Sequence, residues 1–396
     1  MASFHTEIRN RVIVMTPTLL PWSQTFVREQ VKALRRWNPT LVGKRVVKDG
    51  LAIHAMPHYE LCPATTSRWR RLLFALCTRL GLPDPYSLRS MRQMDAALVH
   101  VHFGTAATDY WPLLRALNLP VLITLHGFDV TIRRQWWEQG HGGSKRRSYP
   151  KKLLSLSRQK NVFFLAVSES IRAQAIELGI EPTRIVVQHI GVDTTLFRPS
   201  QSNLTDLPKR VLFAARLVEK KGADCLIAAF SQVADRLPGA ELLIVGEGPE
   251  EMSLRAKAAN AKGKIRFLGK LSAEEVLREL QKARVLCCPS VTAANGDAEG
   301  LPTIIVEAQA CGIPVITSAP GARDEAIING ETGWVFAERD ISKLGELLVT
   351  ALSDTTKVSD IGRAARLRAE AHFSIEKCTA SLEHIYDKLL IESRIN

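Results

Sequence analysis

Short apolar runs alternate with helix-forming stretches along nearly the whole chain, and that alternation stops once and starts again. Arg11–Met15, Leu98–His102, Val121–Thr124, Val162–Ala166 and Ile185–Gln188 are near-continuous apolar runs, the pattern of strands buried on both faces of a parallel sheet. Helical patterns such as Phe26–Arg36 and Glu169–Leu178 lie between them. Strand and helix in turn predict an α/β fold with helices on both faces of the sheet. The polar stretch RPSQSNLTDLPKR (198–210) interrupts the series. Strands at Val211–Ala214, Glu241–Val245, Ile265–Phe267, Val285–Cys288 and Ile313–Thr317 then resume it, with helices near Ala223–Leu237 and from Pro249. The 396 residues suit two such units at roughly 100–200 residues each. The expected plan is two doubly wound, Rossmann-like domains facing each other across a cleft. Residues 1–198 and 210–374 form them, 199–209 link them, and 375–396 close the chain as an amphipathic helix. That helix places Cys378, Leu382, Ile385 and Leu389 at helical spacing, suited to packing back on the first domain.

Charge divides unevenly between the halves. Residues 1–200 hold 28 Lys and Arg against 13 Asp and Glu, a balance of +15, whereas residues 201–396 hold 25 against 27, a balance of −2. The asymmetry points to an anionic partner for the first half, nucleic acid or a membrane surface. The polar Met1–Asn10 start and the lack of any run near the roughly 18–20 apolar residues that span a bilayer lead us to expect an intracellular, cytoplasmic protein. Seven cysteines without a CxxC pair read as buried small hydrophobes in a reducing compartment. Scattered histidines and no HExxH argue against zinc. His100 and His102 are expected on opposite faces of their strand, and therefore structural.

Ligands of open α/β sheets bind beyond the carboxyl ends of the strands. In the second half those ends carry Arg216 and Lys221-Gly222, then GEGPE (246–250), then a polar loop leading to Glu299 and EGLPTIIVE (299–307). The helix beginning near Pro302-Thr303 offers free amides and the positive end of its dipole to an anion, and proline fits its first turn. Together with the cations Arg216 and Lys221, it would suit a diphosphate. Thr303, Glu307 and Ala310 share one helical face, which places the Glu307 carboxylate to receive ribose hydroxyls. Gly246 and Gly248 would let the backbone approach a base or sugar closely. Gly300, Leu301 and Pro302 complete this candidate binding set. Two glutamates eight positions apart could be an acid–base pair, but the spacing better suits grips on separate parts of one ligand.

RLVEKKG (216–222), VGEGPE (245–250) and EGLPTIIVE, with FVREQ, TLHGFDV, AVSESI and HIGVDTTLFRP, resemble the retaining glycosyltransferases of family 4, on the GT-B fold. The likeness runs along nearly the whole chain. It implies hexosyl transfer from a nucleoside-diphosphate sugar (UDP-, GDP- or ADP-linked) to a saccharide acceptor, lipid-linked, in bacterial surface or extracellular polysaccharide synthesis. Arg216 and Lys221 would hold the diphosphate and stabilise its departure, Glu307 would bind the ribose, and Glu299 would contact the transferred sugar. His126 would face that sugar from the first domain, which makes Glu299, His126, Arg216 and Lys221 the catalytic set. No cofactor is implied and, with no DxD sequence, no metal. The first strand is followed by TPTLLPWSQTFVREQ (16–30) in place of the paired glycines of many relatives, resembling a subset that makes extracellular polysaccharides. On that acceptor side, Ser23 or Thr25 is expected to cap the next helix or to meet the acceptor, and Asp129 likewise.

SRWRRLLFALCTRLGL (67–82) sets arginines beside Trp, Leu and Phe as an interface-seeking helix would. It suggests peripheral contact with the anionic inner face of the cytoplasmic membrane; the alternative packs Trp69 and Phe74 into the core. Two other readings remain at this stage. One is a nucleotide-sugar epimerase on the same fold, and the other a basic nucleic-acid-binding protein. The second lacks any nucleic-acid-binding motif, so nucleic acid is not an expected partner.

Overall fold

The structure, a computed structural model, describes residues 10–48, 50–53, 55–200, 206–323 and 325–395, apart from the side chains of residues 23, 394 and 395. Residues 201–205, inside the expected linker, lie outside that description.

The first seven strands are β1 (Arg11–Met15), β2 (Asn38–Gly43), β3 (His58–Glu60), β4 (Leu98–His102), β5 (Val121–Leu125), β6 (Val162–Ala166) and β7 (Ile185–Val187). They form one parallel sheet in the order β3-β2-β1-β4-β5-β6-β7. The remaining six are β8 (Arg210–Ala214), β9 (Glu241–Val245), β10 (Lys264–Gly269), β11 (Val285–Cys288), β12 (Val315–Thr317) and β13 (Trp334–Val335). They form a second parallel sheet, β10-β9-β8-β11-β12-β13. Every residue of β4, β5, β9 and β11 is buried, which explains their largely apolar sequences.

Strand order reverses between β1 and β4 in one sheet and between β8 and β11 in the other, so each sheet has a switch point at its carboxyl edge. The loops leaving those edges meet. Arg133 N–H, after β5, donates to Asn295 O, after β11, at 2.9 Å, and Ala298 N–H donates to Thr131 Oγ1 at 3.3 Å. The crevice between the sheets is therefore bordered by both switch points.

The chain returns to the first sheet at its end. Val192 N–H donates to Phe373 O and Ile375 N–H to Val192 O, each at 2.8 Å. A Cβ on Gly191 would lie 2.6 Å from Ile375 Cα, so only glycine allows this crossing. The helix Ile375–Ile395 then buries Leu382, Tyr386 and Leu389 against Val12, Val14 and Trp37. Glu383 Oε1 accepts the backbone amides of Arg35, Arg36 and Trp37 at 2.7, 2.6 and 3.2 Å, and Asp387 accepts Trp37 Nε1–H at 3.1 Å. Among the described residues no helix is long and apolar enough to cross a membrane. All seven cysteines are free, and all but Cys62 are buried.

Candidate active site

At the second switch point a short 3-10 turn, Glu219–Lys221, ends at Gly222 with φ +65°. A Cβ there would sit 1.8 Å from Pro289 O, so glycine alone lets the turn lie against the end of β11. The turn delivers two ammonium groups to one carboxylate. Lys221 Nζ lies 2.8 Å from Glu299 Oε2, and Lys220 Nζ lies 3.2 Å from Glu299 Oε1 and 2.9 Å from Asp297 Oδ1. Burial alone would raise the Glu299 pKa, but Lys221 and Lys220 outweigh it and bring it to about 2. Burial likewise works against the charge on Lys220, yet Glu299 and Asp297 overcome it and raise the ammonium pKa. Glu299 and Lys220 thus hold opposite charges that do not titrate near neutrality. Lys220 was missed in the sequence, where only the second lysine of the pair was singled out. Neighbouring lysines at the end of a strand were the available signal, and the tight turn aims both inward.

Arg216, just past β8, is exposed and forms no ion pair among the described residues. Gly246 and Gly248 have a reason within the protein itself. Their Cβ atoms would fall 1.9 Å from Ala215 O and 2.2 Å from Leu217 O, so glycine is demanded by the loop carrying Arg216. Leu217 N–H to Glu247 O, at 2.9 Å, and Glu250 N–H to Leu217 O, at 3.2 Å, fasten the two segments.

The helix Thr303–Ala310 starts after Pro302, which is its N-cap and not a first-turn residue, and no side chain caps it. Its opening amides are thereby left without a side-chain partner at the crevice. Gly300, Leu301 and Pro302 are buried; Thr303 and Glu307 are half-buried on one face. Burial pushes the Glu307 carboxyl up to about 7, only partly opposed by its hydrogen bond with Thr303. The two glutamates therefore sit in opposite electrostatic settings.

Across the crevice, His126 follows β5 and is half-buried. Its backbone carbonyl would lie 3.2 Å from a Cβ on Gly300, so the two loops touch. Its ring packs between Phe103 and Phe26, with centroids 4.5 and 4.9 Å away, and stacks on His102 at 5.3 Å. His126 Nε2 lies 3.1 Å from His102 Nδ1. His100 and His102 share one face, with ring centroids 4.5 Å apart, contrary to the expected opposite faces. Side chains two residues apart in a strand point the same way, so that expectation misapplied the two-residue period.

The acceptor-side expectations change. Asp129 is buried and accepts Gly104 N–H at Oδ1 and His126 N–H at Oδ2, both at 2.9 Å. It takes the first amide of the helix Gly104–Leu117 and does not cap the short helix Phe128–Thr131 in which it lies, and it has no exposed face for an acceptor. Burial raises its pKa to about 6 despite those amides. Thr25 is the first residue of the helix Thr25–Ala33, whose N-cap is Gln24 without a side-chain bond, so Thr25 caps nothing. The Ser23 side chain lies outside the described residues. Trp22, beside it, is exposed and lies under Lys270 Nζ at 4.7 Å from its ring centre, a contact spanning the crevice.

The helix Arg68–Leu80 buries only Cys77. Trp69, Leu72, Leu76 and Leu80 are 57, 71, 52 and 59% exposed, contrary to a core role for Trp69, while Phe74 does pack on the core. Arg68, Arg71 and Arg79 are exposed on the same helix, and Arg70 is tied to Asp84. Among the described residues no three His, Cys, Asp or Glu side chains gather as a metal site.

Comparison with known proteins agrees with this architecture. The profile "Glycosyl transferases group 1" matches residues 197–368 and "Glycosyltransferase Family 4" matches residues 55–196. A Corynebacterium glutamicum relative, a GDP-mannose-dependent monoacylated alpha-(1-6)-phosphatidylinositol monomannoside mannosyltransferase, is 31% identical over 74% of this chain and 78% of its own. The amylovoran biosynthesis glycosyltransferase AmsK of Erwinia amylovora is 28% identical over 74% of this chain and 70% of its own. Anabaena HepE in complex with UDP superimposes with a TM-score of 0.74 at 17% identity, covering 96% of this chain and all 100% of HepE. Sucrose-phosphate synthase from Thermosynechococcus elongatus gives 0.74 at 19% identity, covering 97% and 100%. With two parallel sheets meeting at their switch points and both halves matched, the chain belongs to the group 1, family 4 glycosyltransferases on the GT-B fold.

Proposed function

We propose that this glycosyltransferase takes its sugar from a nucleoside-diphosphate donor, without a metal, and transfers it with retention to a growing, lipid-linked polysaccharide. The observation that carries the reading is the cluster of Lys220, Lys221 and Glu299 at the second switch point, opposite His126. Arg216 and Lys221 supply positive charge to the departing diphosphate, and the uncapped start of the helix Thr303–Ala310 adds oriented amides. Glu307, one turn further on, receives ribose hydroxyls. Glu299, ionised with a pKa of about 2, accepts hydrogen bonds from the transferred sugar and has no proton to give. Leaving-group departure then relies on charge, not on a protonating acid.

The acceptor class is supported by the amylovoran relative, and a lipid carrier by the phosphatidylinositol-named relative together with the exposed apolar stripe of the helix Arg68–Leu80. Attachment would be peripheral, at the cytoplasmic face. The test is a thermal-shift screen with UDP-, GDP- and ADP-sugars, followed by turnover in EDTA and NMR assignment of the product anomer. One donor class should stabilise the protein, turnover should persist, and the product should keep the donor's anomeric configuration. Loss of turnover restored by manganese, or an inverted product, would overturn the reading.

A further inference from the structure

We infer that His102 is a positioning residue that fixes the tautomer of His126, so that His126 offers an Nδ1–H donor, and no base, to the crevice. The inference starts from one shared proton. His102 Nδ1 and His126 Nε2 are 3.1 Å apart, so one of them carries the hydrogen. Both rings are neutral: burial lowers the His126 pKa well below the usual value and brings His102 to about 3. Two arrangements remain. If His126 Nε2–H donates, His102 must carry its own proton on Nε2, which is buried with no hydrogen-bond partner among the described residues. That would orphan a buried N–H donor, the rarer and costlier defect. If His102 Nδ1–H donates instead, Nε2 holds only an unused lone pair. The second arrangement wins, and it places the proton of His126 on Nδ1.

The ring is locked in place for this role. Phe103 packs on His126 from a backbone at φ +77°, strained for a residue with a Cβ. His100, on the same face as His102, is held at both nitrogens, by Tyr386 Oη and Thr124 Oγ1 at 2.6 Å each. His102 thus stands between a pinned imidazole and His126. Tyr386 comes from the helix Ile375–Ile395, so the chain's last helix buttresses the wall opposite the Lys220–Lys221–Glu299 cluster. His126 Nδ1 makes no hydrogen bond with a described residue, and an Nδ1–H there suits an oxygen of the donor sugar or of its diphosphate. It cannot remove a proton from an acceptor hydroxyl.

The inference rests on the nucleotide-sugar reading for its ligand but not for its tautomer, so the test has two arms. Nitrogen-15 NMR of histidine-labelled enzyme should show His126 as the Nδ1–H form; an Nε2–H form would overturn the inference. H102N keeps an amide N–H where Nδ1 stood and should preserve that form, whereas H102L should release it. With a donor that turns over, H102L should raise KM for the donor about tenfold with little change in kcat, and H102N should stay near the parent. An unchanged His126 spectrum in H102L would also overturn it. Were H102L not to fold, the parent and H102N spectra would still decide. A correct tautomer without binding of any sugar nucleotide would instead count against the donor reading.

Discussion

Glu299 and Glu307 are close in sequence and are held in opposite ways, and the difference makes stability depend on pH in opposite directions. Glu299 has a folded pKa near 2, below its ordinary 4.5. Its depressed pKa stabilises the fold above pH ~4.5, and that contribution, about 3 kcal/mol, is lost as pH falls toward 2. Glu299→Gln should therefore destabilise the protein at pH 7, since it leaves two ammonium groups without their shared carboxylate, and the deficit should shrink in acid when followed by urea denaturation. Glu307 has the reverse sign. Its pKa is raised from 4.5 to about 7, so its ionisation costs stability above pH ~7 and nothing below pH ~4.5. Glu307→Gln should raise the melting temperature at pH 8, by roughly 1–3 kcal/mol of stability, and lose that advantage at pH 4.5. If Glu307 receives ribose hydroxyls, the same variant should bind donor more weakly by calorimetry. The sequence carried the identity of both glutamates and their helical spacing. It did not carry their charge states, because those depend on Lys220 and on burial created by distant segments. The glycines at 246 and 248 were visible too, but the backbone they admit is the protein's own.

Among elements, the long buried strands were legible, and the short or mixed ones were not. β1, β4, β6, β9 and β11 follow their apolar runs residue for residue. β2 contains Pro39 and polar residues, β3 is the three-residue edge HYE, and β13 is two residues long, so none has a period to read. The last helix was legible from its apolar face, but not its buried Glu383, which collects three amides from the segment after the helix Thr25–Ala33. Glu383→Ala would leave those amides unpaired and should cost on the order of 3 kcal/mol in urea denaturation. The helix Arg68–Leu80 makes a contrasting case, since its Trp69, Leu72, Leu76 and Leu80 face outward beside arginines. Exposed leucines contribute little to folding, yet each buries area at an interface, and each nearby cation adds roughly 1 kcal/mol on an anionic leaflet. Replacing both Leu72 and Leu76 by Glu should leave the melting temperature within a degree or two and cut sedimentation with anionic vesicles at least tenfold. Equal vesicle binding by parent and variant would remove this helix from the membrane proposal.

At the scale of the whole molecule, the alternation of strand and helix announces two sheets, while strand order and the way the sheets meet come from contacts far apart in sequence. Those contacts concentrate at the crevice. Glu325, after β12, accepts Glu169 N–H at 3.0 Å and pairs with His189 Nε2 at 2.6 Å, joining the second sheet's loops to the first. Gly300 sits where the loop after β11 comes close against the opposite wall. A Cβ there would lie 3.0 Å from Val167 Cγ2, 3.1 Å from Ile171 Cγ1 and 3.2 Å from His126 O, all on the other side. One methyl could be absorbed by shifts of a few tenths of an ångström, but a branched side chain could not. Gly300→Val should act as a wedge that separates the walls and draws His126 away from Glu299. None of the four hydrophobic clusters includes this residue, so the protein should remain folded. Small-angle scattering should then report a larger radius of gyration, and transfer should slow by about a hundredfold, the penalty typical of a reacting group displaced by an ångström. An unchanged radius with normal transfer would mean that the walls need not touch for the reaction to proceed.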